Sequence, residues 1–174
     1  MRLRDRNRRI AICALLIAIG TVIWSVEEML PRPMPWAKPG LANAATMMAI
    51  ALGGPVEGII VALGRVVLGA LLLGRIGSAS FIISLSGSTI AAIVMGLIWR
   101  MRLPFSVYGI SIFGALAHAL TQIIVAGWLV YRPDIVLNLL PFVVLPSMIT
   151  GAIVGLIVAI LLNRLKKIDH FYLK

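Results

Sequence analysis

The stretch Gly114–Gly127, GALAHALTQIIVAG, contains no aspartate, glutamate, lysine or arginine, yet it carries a histidine and a glutamine four residues apart, His118 and Gln122. The rest of the chain has the same character. It is 61% hydrophobic and 13% charged, with a mean hydropathy of +1.06, far outside the range of soluble globular chains. The chain reads as an integral membrane protein. A spanning helix needs about 20 mostly apolar residues, so 174 residues with short polar interruptions leave room for five or six such helices and no soluble domain.

Proline, glycine and charge clusters mark the breaks. They predict an all-α polytopic membrane protein, a compact bundle of six transmembrane helices over residues 10–165. A basic tail precedes it at 1–9 and a second tail follows at 166–174, all in one membrane domain. The first helix runs roughly from Ile10 to Met29 and stops at PRPMPWAKPG, whose prolines forbid a regular helix. The second begins near Leu41, is short, and ends at Gly53-Gly54-Pro55. The others run from about Val56 to Leu73, Ser80 to Trp99, Phe105 to Leu129 and Leu140 to Leu162. Pro141 and Pro146 are expected to delay or kink the last.

Charge orients the bundle, because cytoplasmic flanks collect Lys and Arg. With the N-terminus inside, the inner segments hold eleven basic residues (Arg2, Arg4, Arg6, Arg8, Arg9, Arg100, Arg102, Arg164, Lys166, Lys167, Lys174) and the outer ones only Arg32, Lys38, Arg75 and Arg132. Both termini are therefore expected in the cytoplasm, in a multi-pass protein of the cell membrane. The net charge of +10 is mostly this topological signal and a lipid-headgroup anchor, so no nucleic-acid partner is inferred. A cleaved signal peptide is disfavoured. Glu27, Glu28, Arg32 and Lys38 separate the first apolar run from the Ala42-Asn43-Ala44 site that resembles a cleavage sequence.

Ala11, Ala14, Ala18, Thr21 and Ser25 fall at helical spacing and form a stripe of small side chains on the first helix. In lipid such stripes let helices approach closely. The stripe serves either packing within the bundle or, at Ala11, Ala14 and Ala18 in the cytoplasmic half, docking of a partner subunit.

Polar side chains at membrane depth are costly and mark candidate sites. Arg65 lies near the middle of the third helix, and His118 and Gln122 lie one turn apart on one face of the fifth. Ser84, Ser86, Ser88 and Thr89 add hydroxyls to the fourth. Each has a plainer reading: interhelical glue for His118 and Gln122, an internal ion pair or carbonyl contact for Arg65, and bonds to the preceding turn for the hydroxyls. With Glu57 two turns nearer the cytoplasm and Glu27 and Glu28 at the outer end of the first helix, Arg65 has no obvious carboxylate at its own depth. That is what a site for an anionic ligand looks like.

Catalysis is disfavoured by residue inventory. Three Asp and three Glu are scattered, so no aspartate-rich pair exists to hold Mg²⁺ on a diphosphate. There is no phosphate loop, nucleophile elbow or His pair at metal spacing. One cysteine, Cys13, cannot build a disulfide framework or thiolate cluster within the chain. No enzyme activity, cofactor or metal is expected, and any energy source has to come from a partner or a gradient.

Four segments carry a resemblance: Lys38-Pro-Gly-Leu-Ala-Asn43, Ala62-Leu-Gly-Arg-Val-Val-Leu-Gly-Ala-Leu-Leu-Leu-Gly74, Ser84-Leu-Ser-Gly87 and Gly114-Ala-Leu-Ala-His-Ala-Leu-Thr-Gln122. In order and spacing they resemble the Gx transporter family of bacterial membrane proteins, also labelled heptaprenyl diphosphate synthase component I. That family looks related to the S components of energy-coupling factor transporters, six-helix proteins that capture micronutrients and dock on a transmembrane scaffold with ATPase subunits through an alanine-rich first helix. The resemblance implies a substrate-binding membrane component. Ala14 and Ala18 match its docking pattern. Lys38, Asn43, Arg65, Ser84, Ser86, His118 and Gln122 are then the candidate contacts to a small-molecule substrate, anionic if Arg65 meets it. The enzyme label conflicts with the missing aspartate-rich motifs, so the alternatives are a non-catalytic membrane subunit of heptaprenyl diphosphate synthesis or a purely structural assembly protein.

Overall fold

The computed structural model describes residues 3–29, 40–129 and 134–172, and among them it is a bundle of six helices. They are α1 (Leu3–Met29), α2 (Asn43–Leu52), α3 (Pro55–Leu72), α4 (Ala79–Arg100), α5 (Val107–Leu129) and α6 (Asp134–Tyr172). Five are long and apolar enough to cross a membrane, and α2 is not. Its 10 residues rise about 15 Å, roughly half the hydrocarbon thickness.

The helices start and stop where local chemistry requires. Gly54 takes φ +122° ahead of Pro55 at the first position of α3, which suits proline because that position has no intrahelical N–H bond to lose. The α3–α4 turn uses Gly74 and Gly77 at φ +63° and +78°, and Ser78 Oγ accepts from Phe81 N–H at 3.2 Å to cap α4. Two boundaries depart from expectation. α1 begins at Leu3 rather than near Ile10, because the Arg-rich segment holds no breaker and arginine is a good helix former. α6 runs unbroken from Asp134 through Pro141 and Pro146 to Tyr172, so the prolines neither delay nor end it. The PRPMPWAKPG loop, apart from Gly40, lies outside the described residues.

The helices surround α2. It touches all five others, whereas the longer helices meet in the order α1, α3, α4, α5, α6. Residues Ala42 to Ile50 are all buried. Alanines keep this central helix thin enough for five neighbours, and Met47 and Met48 fill the irregular gaps against Leu16, Met95, Val154 and Val158.

Lipid gives helices no hydrophobic reason to associate, so close packing and polar contacts set the register. α1 and α3 run parallel, and contacts recur at nearly constant separation along them. Arg9 pairs with Glu57 at 3.1 Å, Gly64 faces Ile17, Gly20 faces Arg65, Gly69 faces the Trp24 ring, and Arg75 pairs with Glu28 at 2.8 Å. Gly96 against Pro55 and Gly87 against His118 make α4 antiparallel to both neighbours. α5 and α6 approach backbone to backbone at Gly151 and Gly155, where a Cβ would lie 2.7 Å from Ile112 Cα and 2.7 Å from Tyr108 Cα. These directions gather Arg9, Arg100, Arg102 and Arg164 at one end and leave Arg75 at the other.

Two outcomes are expected. Cysteine labelling or reporter fusions at both termini should report the same, cytoplasmic side, and labelling of the two on opposite sides would contradict the helix directions. Gly69→Val should drive a side chain into Trp24 and lower thermal stability in detergent by about 1–3 kcal/mol, whereas Val22→Ala on the exposed side of α1 should stay within about 0.5 kcal/mol.

Candidate functional site

α2 starts inside the bundle, and its first turn is met by polar groups from its neighbours. Asn43, Ala44 and Ala45 donate their N–H groups to the carbonyls of Gly40, Leu41 and Ala42 at 2.9, 2.9 and 3.2 Å, a tight turn that occupies donors left over at a helix start. The Leu41 N–H donates to Glu27 Oε1 at 2.6 Å. The Glu27 carboxylate thus anchors the entry to α2 and offers negative charge near its positive end.

Arg65 is the centre of the cluster, with 1% of its surface exposed. Its stem lies against Gly20 on α1, where a Cβ would come within 2.9 Å of Arg65 Cδ. One terminal nitrogen donates to Asn43 Oδ1 at 2.7 Å and Ser88 Oγ at 3.2 Å, and the Arg65 backbone carbonyl accepts from Thr21 Oγ1 at 3.4 Å. Glu27 supplies a compensating charge by coulombic interaction. Among the described residues no carboxylate forms an ion pair with Arg65.

His118 and Gln122 project from α5 into the same region, buried at 5% and 2%. Gly40, at φ +74°, sits close to both Asn43 and His118. A Cβ there would lie 3.2 Å from Asn43 Nδ2 and 3.4 Å from His118 Cδ2. A Cβ on Gly87 would lie 2.9 Å from Gln122 Cγ and 3.1 Å from His118 Nδ1. Glycine at 20, 40 and 87 makes the room in which the large polar side chains converge.

The sequence-derived candidates divide accordingly. Asn43, Arg65, His118 and Gln122 come together, and Ser84 is buried one turn before Ser88 on α4. Asn43 is the first residue of α2. Ser86 stays apart: its hydroxyl donates to its own helix, at Ile82 O and Ile83 O. Thr89 does the same at Leu85 O. Lys38 lies outside the described residues. Ser88 and Gly40 join the cluster without having been put forward as contacts, and Glu27 holds the entry to α2 beside it. Ser88 was visible as a hydroxyl one helical turn from Ser84, but its partner could not be read from its spacing. Ala11, Ala14 and Ala18 are exposed, while in the same stripe Thr21 is buried and Ser25 half-buried.

Three donors in this region, Arg65 Nε, Asn43 Nδ2 and Gln122 Nε2, are buried with no hydrogen-bond partner among the described residues. For Asn43 the amide orientation follows from chemistry. A guanidinium can only donate, so Oδ1 must face Arg65 and the NH₂ group must face elsewhere. The cluster is rich in donors and short of acceptors, and an acceptor-rich group such as a carboxylate or phosphate complements it. Among the described residues, no three His, Cys, Asp or Glu side chains gather to hold a metal ion.

Residues 16–161 match the family model described as heptaprenyl diphosphate synthase component I. No curated protein and no solved structure matches the chain. With the match covering all but the ends of an apolar helical bundle, the chain belongs to the heptaprenyl diphosphate synthase component I family.

Proposed function

We propose that this protein is the substrate-binding membrane component of a transporter for an anionic small metabolite, as the resemblance to energy-coupling factor S components implies. The observation that carries the reading is the excess of buried donors around Arg65. A buried donor left unmade costs about 1–3 kcal/mol, and an Arg at membrane depth costs about 2.5–3.5 kcal/mol on insertion scales. Glu27 offsets part of the charge but fills none of the orphaned positions on Asn43, Arg65 and Gln122. A carboxylate or phosphate would fill them, with Arg65 and Asn43 as primary contacts and His118 and Gln122 flanking. Ser86 is dropped from the contact set, because its hydroxyl is spent on its own helix. Ala11, Ala14 and Ala18 on the exposed side of α1 suit a transmembrane scaffold carrying ATPase subunits.

A second reading follows from the family's description: a non-catalytic membrane subunit in heptaprenyl diphosphate synthesis. A catalytic role is not proposed. Glu27 holds Leu41, Glu28 holds Arg75 and Ser80, and Glu57 holds Arg9, so these carboxylates are engaged in structural contacts. Adding the purified protein to a polyprenyl diphosphate synthase tests this reading, which requires the synthase rate to rise.

The transport reading is tested by mass spectrometry of small molecules extracted from protein purified out of native membrane, with melting measured on the same preparations. Wild type should carry an anionic metabolite that Arg65→Leu lacks. Arg65→Lys should retain only part of it, because an ammonium keeps the charge without the planar fork. His118→Ala and Gln122→Ala should each weaken binding by roughly 1–3 kcal/mol, and Ser86→Ala should bind as wild type. An Arg65→Leu protein that melts lower yet keeps its metabolite would make Arg65 a structural residue and end the proposal.

A further inference from the structure

A second polar feature lies away from the Arg65 cluster, where α4 turns into α5 at the basic end of the bundle. A cavity of about 380 Å³ opens there, lined by Ile98, Trp99, Arg102, Leu103, Phe105 and Ile110. Five of the six are apolar, and the sixth is a cation. Ile110 is buried at the base, Ile98 and Trp99 are half-buried, and Leu103 and Phe105 are exposed. The wall is preformed: the Phe105 ring packs edge-on against Phe113 with centroids 5.1 Å apart, and the Phe105 N–H donates to Leu103 O at 2.7 Å.

Arg102 stands out in three respects. Its backbone has φ +50°, the only positive φ outside glycine among the described residues, while its N–H donates to Trp99 O at 3.2 Å and closes the helix. Glycine takes this position at a helix end without strain, so the arginine side chain is not there for the turn. Its guanidinium has no hydrogen bond or ion pair among the described residues. No aspartate or glutamate occurs anywhere from Gly58 to Pro133, and Glu57, at the same end of the bundle, is held by Arg9. A cation with no partner among the described residues, at the rim of an apolar groove beside a tryptophan of the interfacial kind, complements an amphiphile with an anionic head.

We propose that this groove binds an anionic phospholipid, its phosphate on the Arg102 guanidinium and an acyl chain along Ile98, Trp99, Leu103 and Phe105. The site is separate from the Arg65 cluster and does not depend on the transport reading. It would fix the α4–α5 hairpin at the membrane surface with one lipid.

Brominated lipids quench tryptophan on contact, and Trp99 reports the groove directly. The full chain in detergent is titrated with brominated phosphatidylglycerol and, separately, brominated phosphatidylcholine, with Trp99→Phe subtracting the signal of the other tryptophans. Phosphatidylglycerol is expected to quench Trp99 at concentrations about fivefold to tenfold lower than phosphatidylcholine. Arg102→Gly and Arg102→Gln should both bring the phosphatidylglycerol curve onto the phosphatidylcholine curve. Arg102→Gly should melt no lower than wild type, since it relieves the backbone while removing the charge. Millimolar inorganic phosphate should not displace the lipid, because the chain supplies contacts that a free ion lacks. Equal quenching by the two lipids in wild type would leave only non-specific annular lipid, and unchanged selectivity in both Arg102 variants would remove the phosphate contact. Displacement by phosphate alone would make the groove a free-anion site. Any of the three overturns the proposal.

Discussion

A helix that begins inside an apolar bundle brings unpaired N–H groups into a medium where nothing else can satisfy them. That constraint at the start of α2 organises the rest of the molecule. The Glu27 carboxylate takes the Leu41 N–H, the next three donors fold back on Gly40 to Ala42, and Asn43 turns its oxygen to Arg65. Arg65 in turn needs Ser88 on α4 and space beside Gly20 on α1. Three helices, α1, α3 and α4, are thus tied to the end of the shortest one. The candidate site is the polar surrounding of a helix end, with donors to spare.

The surrounding helices hold their positions mainly by close approach. Small residues recur at the contacts, at Gly64 and Gly69 on α3, Gly87 and Gly96 on α4, and Gly151 and Gly155 on α6. Packing of this kind leaves little freedom to slide, because a shift by one residue would meet a Cβ where a glycine had been. Ion pairs at both ends of the α1–α3 pair fix the same register. The polar side chains are consequently presented by a rigid frame, which is what precise recognition of a small ligand requires.

Much of this was legible in the chain before any coordinates. Apolar runs and their Gly/Pro interruptions located six helices, because in lipid the backbone can satisfy itself only by staying helical. Arg65, His118 and Gln122 were recognisable by their cost at membrane depth. Convergence of Asn43, Arg65, His118 and Gln122 was implied only by the family resemblance, and residue spacing did not show which hydroxyl on α4 takes part. Ser86 and Ser88 are two residues apart on α4, and only the rotation of that helix against α3 decides that Ser88 meets Arg65 while Ser86 turns back on its own carbonyls. Gly40 and Gly87 carry no side-chain chemistry, so their part in making room for His118 could not be anticipated. The continuity of α6 was missed for a different reason. Pro141 and Pro146 leave the helical backbone of α6 continuous, which helix propensity alone does not foretell.

The parallel pairing of α1 with α3 has a consequence for biogenesis. A hairpin can close as soon as its second arm enters the membrane, but α1 cannot find its partner until α2 and all of α3 have been delivered. Glu28 waits longer still, since Arg75 and Ser80 arrive with the turn into α4. During synthesis, therefore, the first helix resides in the bilayer with two carboxylates at one end and no lasting mate. Arg65 enters with Asn43 already available but Ser88 still to come. The assembly order is non-local, and the interval before α4 is inserted is when the chain is most open to capture by insertion chaperones or by quality-control proteases.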